Sequence, residues 1–193
     1  MSTEKRRYEK KARAASEEAT RQRVIDAAIA LHGTVGPART TISAIAERAG
    51  VRRATVYRHF PDERTLMLGC SGTWAERNPV PDLARWANIA DPSARVEAAL
   101  DALYAWYEQV EPMLSSVLRD IEAMPIIAEI QQGRHAYLAA VEETLLGVDA
   151  TTRQRATIGL ALDFYAWRTL HERGLDRADA VAVMASVVSA PTA

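Results

Sequence analysis

The chain has one cysteine, Cys70, in 193 residues, and that scarcity removes two classes of site at once. No intrachain disulfide can form and no zinc site can be built on thiolates, so the composition fits a reducing cytosol. Cys70 itself is expected as a small buried apolar residue. No apolar run approaches the roughly 18 residues that span a bilayer. The polar, basic N-terminus is followed by no apolar segment of the kind a secretory signal needs. A cytoplasmic location and no membrane partner are therefore expected. Alternating Val/Ile/Thr runs bounded by turns do not occur, which argues against a sheet. Catalytic patterns are missing as well. His32, His59, His135 and His171 show no His-x-x-x-His spacing, and the pairs Glu17-Glu18 and Glu142-Glu143 are adjacent, so they diverge on a helix. There is no Gly-rich phosphate loop. Neither an enzyme nor a metal or cofactor is expected.

What the chain does have is a split of charge. Residues 1–64 carry 14 Lys/Arg against 8 Asp/Glu, whereas residues 65–193 carry 10 against 17. One end is suited to a polyanion and the other is not. Hydrophobic residues at 48% recur at helical spacing, enough to bury a core. The expectation is an all-α chain in three parts: a basic arm over residues 1–17, a three-helix domain over 18–68, and a C-terminal helical bundle over 69–193. Helices are expected at about Glu18–His32, Thr41–Ala49, Arg52–Phe60, Asp62–Trp74, Ser93–Val110, Met113–Ala123, Ile126–Leu146, Thr151–Arg173 and Arg177–Val188. Residues 77–92 hold three prolines and read as a hinge, loop or broken helix. A break is expected at Gly147-Val148-Asp149.

The stretch from Thr40 to Phe60 can be read position by position. Thr41 is suited to cap a helix whose inward face is Ile42, Ile45, Ala46 and Ala49. Gly50 permits the positive φ of a tight turn, and Val51 plugs the angle between two helices. Val56 and Phe60 lie one turn apart and point back to the core. The outer face is then left with Arg53, Thr55, Tyr57, Arg58 and His59, a set of donors on a helix narrow enough for a major groove.

Thr41, Ile45-Ala46, Ala49-Gly50-Val51, Thr55-Val56-Tyr57, His59-Phe60 and Leu66, preceded by the Val24–Leu31 helix, resemble the helix-turn-helix of the TetR family of repressors. A weaker echo lies in Asp163-Phe164-Tyr165-Ala166-Trp167-Arg168-Thr169-Leu170. The resemblance implies an all-helical homodimer with an N-terminal DNA-binding domain and a C-terminal bundle for effector binding and dimerisation. It places Arg53, Ala54 and Arg58 on bases, Thr41, Thr55, Tyr57 and His59 on phosphates, and Ser43 near the groove. Arg52 stands where the family usually has a capping Ser or Thr, and Glu63 where it commonly has a Lys.

In the C-terminal part the effector candidates are Trp86, Tyr104, Tyr107, His135, Asp163, Phe164 and Trp167, a mix of aromatic walls and polar anchors. His135 and Asp163 are the informative ones if buried, because a buried polar group needs a partner. Ala180, Val183, Met184, Val187 and Val188 form one apolar stripe, the candidate dimer interface. The function expected from all this is a ligand-responsive transcriptional regulator, a repressor that binds a palindromic double-stranded operator as a dimer and is released by a small molecule. Its rivals are an architectural DNA-binding protein without an effector and a bundle enzyme with an incidental helix-turn-helix.

Overall fold

A computed structural model describes residues 3–147 and 149–189, with side chains from residue 6 onward. Met1, Ser2, Val148 and residues 190–193 lie outside the described residues, and with them the middle of the expected Gly147-Val148-Asp149 break. Among the described residues every regular element is helical. The chain forms two compact units, one from residues 3–78 and 112–130, the other from 79–111, 131–147 and 149–189.

The first unit opens with α1, Thr3–His32, which begins 15 residues earlier than the expected start at Glu18. The basic arm is thus helical from Thr3 onward. No Gly or Pro occurs from residue 3 to 32, and Ala, Lys, Arg and Glu dominate. A helix already nucleated by its packed half propagates through such a sequence at little cost. A 3-10 turn at Pro37–Arg39 leads into α2, Ile42–Ala49, and α3, Arg53–His59; α4, Glu63–Arg77, follows Pro61. Asp62 caps α4, accepting from Thr65 N at 2.7 Å. The core of this unit joins Val24, Ile25 and Ala28 of α1 to Ile45, Ala46, Ala49, Val56, Phe60, Leu66 and Cys70. Cys70 is buried and free, and burial pushes its thiol up to about 12.

Beyond α4, the proline-rich stretch holds a single turn of helix, α5 (Ala84–Ala87), which buries Trp86. Two expected helices are one: α6 runs from Pro92 to Arg119 straight through Pro112. That proline removes one backbone bond. Glu108 and Pro112 are both exposed, so water can take the orphaned carbonyl. α7, Pro125–Leu146, passes Gly133 as a single helix.

The expected helix over Thr151–Arg173 is instead two, α8 (Thr152–Leu162) and α9 (Phe164–Glu172). Asp163 turns out of the helix with φ −73° and ψ 132° and accepts from Ala166 N at 2.9 Å. The carbonyls that this break strands are taken by tyrosines. Tyr104 Oη donates to Ala161 O at 2.8 Å and Tyr107 Oη to Leu162 O at 2.7 Å. The last helix is α10, Arg177–Ser189.

Candidate nucleic-acid interface

The first unit positions α3 by local rules. Thr41 Oγ1 accepts from Ala44 N at 3.1 Å and starts α2. Gly50, at φ 64° and ψ 39°, ends it in the left-handed region, and Val51 N then returns to Ala46 O at 2.9 Å. Arg52 precedes α3 and makes no side-chain cap. Val56 and Phe60 anchor the inner face of α3, fully buried.

With that face fixed, Arg52, Arg53, Ala54, Tyr57 and Arg58 are exposed, and so are Thr41 and Ser43 on the preceding segment. Thr55 and His59 are half-buried, and His59 Nε2 is enclosed without a hydrogen-bond partner among the described residues. The three guanidiniums of Arg52, Arg53 and Arg58 form no ion pair with any described residue. Arg64, Arg77, Arg119, Arg155, Arg168 and Arg177 are all tied to carboxylates. Other arginines, Arg23, Arg48 and Arg153 among them, also lie outside these ion pairs; what sets α3 apart is three such cations within seven residues of one short helix and its cap. Glu63, exposed at the start of α4, makes no ion pair among the described residues either; its neighbour Arg64 reaches Glu129 of α7 instead, at 2.7 Å.

A second set of contacts holds the segment leading into α2, between residues far apart in the sequence. Asp120, at the end of α6, accepts from Ala38 N at 3.0 Å and from Arg119 Nε at 2.9 Å. Arg119 Nη2 also donates to Val35 O at 3.1 Å. Burial alone would raise the Asp120 pKa, but those hydrogen bonds and the charges of Arg119 and Arg39 outweigh it and hold it below the ordinary carboxylate range. Gly36 passes between these groups at φ 94° and ψ 156°. His32 is buried beside them and borders a cavity of about 250 Å³ together with Thr40, Ile45, Tyr57, Glu63 and Met67. The only hint in the sequence was the Gly36-Pro37 dipeptide, which reads as a helix stop.

In the second unit the effector candidates separate. Tyr104, Tyr107, Phe164 and Trp167 are buried; the last three pack on one another with ring centroids 5.3–5.5 Å apart. Trp86 is buried with its Nε1 unpartnered. His135 and Asp163, expected to inform if buried, are both exposed: His135 lies beside Arg134 and Asp163 serves as the α9 cap. The α10 stripe is divided as well. Ala180 and Met184 are buried with Val181 and Ala185 inside the unit, Val183 is 41% exposed, and Val187 and Val188 are half-buried. The helix is apolar on more than one side, so the pattern alone did not fix which side turns inward.

Residues 24–70 match the family described as bacterial regulatory proteins, tetR family. No curated protein matches the sequence. Among solved structures, the fold resembles a TetR-like transcriptional regulator from Rhodococcus sp. RHA1, with a TM-score of 0.61 and 16% identity over 88% of this chain and 93% of that one. It also resembles the fatty acid degradation regulator FadR from Bacillus halodurans, at 0.60 and 20% over 89% and 95%. FadR from Bacillus subtilis, solved in complex with stearoyl-CoA, gives 0.55 and 16% over 89% and 99%. The family match falls on the α1–α4 core that presents the unpaired arginines, and the fold of the whole chain resembles that of the solved regulators: residues 24–70 form a domain of the tetR family of bacterial regulatory proteins.

Proposed function

We propose that the protein is a cytoplasmic, dimeric repressor that binds a palindromic operator through α3 and leaves it when a small molecule binds residues of the 69–193 part. The observation that carries this is the dense set of exposed guanidiniums on α3 and its cap, Arg52, Arg53 and Arg58, beside the hydroxyls of Thr41, Ser43, Thr55 and Tyr57. Arg53, Ala54 and Arg58 read base edges, and Thr41, Thr55, Tyr57 and His59 hold phosphates. A dimer presents two such helices to successive grooves, about 34–36 Å apart. The effector acts by favouring a state in which that spacing is wrong, with a coupling of about 1–3 kcal/mol. α6 and α7 are suited to carry it, since each begins in one unit and ends in the other, and their first-unit portions grip the DNA-binding segment through Asp120 and Glu129. Within the candidate effector set, Trp86 is the residue whose buried, unsatisfied donor asks for an acceptor.

The test uses duplexes selected from a random pool. Arg53→Ala should weaken the selected site by about 1–3 kcal/mol and flatten preference at one base position per half-site. Thr55→Ala should weaken all duplexes alike. If Arg53→Ala leaves the ranking of site variants intact, base reading does not rest on Arg53 and the assignment is wrong.

Dimerisation is proposed on the outward sides of α8 and α10. Leu160, 51% exposed, and Val183 leave apolar surface there, and a Cβ on Gly159 would meet nothing within 4 Å, so a second helix can approach closely. Leu160→Glu with Val183→Glu should sediment as a monomer at concentrations where the parent protein is a dimer. A dimeric double variant would place the interface elsewhere.

A further inference from the structure

The N-terminal half of α1 contributes no buried residue among those described. Residues 6–19 are all exposed, while the part of α1 that packs begins near Arg21 and Val24. Seventeen residues from Thr3 to Ala19 make a rod about 25 Å long. Its one apolar line is narrow and small: Tyr8, 75% exposed, with Ala12, Ala15 and Ala19 at one-turn spacing. One tyrosine and three alanines offer too little apolar area to hold a helix in a membrane surface or against a partner helix.

It does have a cationic side. At 100° per residue, Arg6, Arg7, Lys10, Lys11 and Arg13 fall within a sector of about 160°; Glu9 lies outside it, and Glu17 and Glu18 share it only at the end nearest the domain. Arg13 is engaged by Glu17 at 3.2 Å; the other four make no ion pair with any described residue. The rod leaves the domain at a definite place. Arg21 sits over the Phe60 ring, 5.1 Å from its centroid, and Phe60 directly follows His59 at the C-terminal end of α3. Arg21 falls in the same sector, so the cationic side lies on the face of α1 that meets Phe60, with Arg13 about 12 Å along the axis from Arg21 and Arg6 about 22 Å.

We propose that the exposed half of α1 is a second DNA-binding surface, which lays Arg6, Arg7, Lys10 and Lys11 along the phosphates flanking each half-site. This rests on the reading of α3 as the operator-binding helix. The contact is with the backbone alone, because long cations on an exposed helix side offer no bidentate geometry toward a base edge. It adds affinity for every duplex, with a steep salt dependence, and leaves sequence preference to α3. It also requires a site longer than α3 would span.

The experiment replaces Arg6, Arg7, Lys10 and Lys11 with Gln in the full chain, a change that touches no packed residue and keeps helix propensity. Binding to the selected duplex, with flanks, and to random duplex is measured from 50 to 300 mM salt, beside Arg53→Ala. The variant should lose tenfold or more in affinity for both duplexes near 150 mM salt. Its salt slope should fall by about 2–4 per protomer, and backbone protection in a hydroxyl-radical footprint should retreat from the flanks. Removing the flanks from the duplex should abolish the difference between variant and parent. Unchanged affinity and slope, with Arg53→Ala still losing its base preference, would overturn the proposal and leave the α3 reading standing. Failure of the parent protein to prefer any duplex would overturn both. Binding of the parent, and not the variant, to anionic lipid vesicles with no change on DNA would assign the surface to membranes and overturn it too.

Discussion

Gly36→Ala should destabilise the first unit by about 2–4 kcal/mol, measured as a shift in the chemical unfolding midpoint at constant slope. Two costs add. Gly36 sits at φ 94° and ψ 156°, a region essentially closed to residues with a Cβ, and forcing one there costs about 1–3 kcal/mol. The new methyl would also fall inside contact distance of the Arg119 guanidinium and the Asp120 carboxylate. Both are side-chain tips, but neither is free to swing: Asp120 is held by Ala38 N and Arg119 by Val35 O. Displacing them gives up hydrogen bonds to charged groups, worth about 1.5–3 kcal/mol each at most. Gly33→Ala is the control. Its Cβ would meet Met113 Cε at 3.5 Å, an ordinary contact, so its effect should stay within about 0.5 kcal/mol. Equal effects at the two glycines would show that the α6 contact does not fix the segment entering α2.

The contrast between the helix-turn-helix and this clamp explains what could be read in advance. Thr41, Gly50, Val51, Val56 and Phe60 act on neighbours within about ten residues, through a cap, a left-handed turn and a one-turn repeat, and each leaves its mark in local spacing. The all-helical fold and the resemblance of residues 24–70 to the tetR family were legible for the same reason. Asp120 reaches Ala38 across 82 residues, and nothing in an Arg-Asp pair at a helix end distinguishes it from a solvated one. The break at Asp163 was hidden likewise. Its sequence is apolar and periodic on both sides, and the two hydroxyls that satisfy the open carbonyls come from Tyr104 and Tyr107 on α6. Pro112 misled in the opposite direction, since a proline with exposed surroundings need not end a helix. The α10 stripe failed for want of contrast: with Val181 and Ala185 also apolar, the helix could turn more than one side inward.

His32 should make the first unit acid-sensitive well above the range where carboxylates titrate. Its side chain is buried at the end of α1, and burial lowers its pKa from 6.5 to about 4, against the opposing charge of Asp120. The imidazole is therefore neutral in the folded protein at pH 7. The unfolded chain binds a proton near pH 6.5 and the folded chain only near 4, so between those values the unfolded state holds more protons and stability falls as pH falls. The full loss, complete only below pH 4, is about 3 kcal/mol. Asp120 has the opposite sense of shift. Its depressed pKa gives stability that is present above its unfolded value, near 3.8, and is lost only below it, so its window lies beneath that of His32. Unfolding free energies of the parent protein and of His32→Gln, measured at pH 7.5, 6, 5 and 4.5, separate the two. Whatever offset the substitution introduces at pH 7.5, the stability of the parent minus that of the variant should fall steadily toward pH 4.5, because only the parent has a proton to take up. Curves that stay parallel across that range would mean that His32 is not the group that titrates.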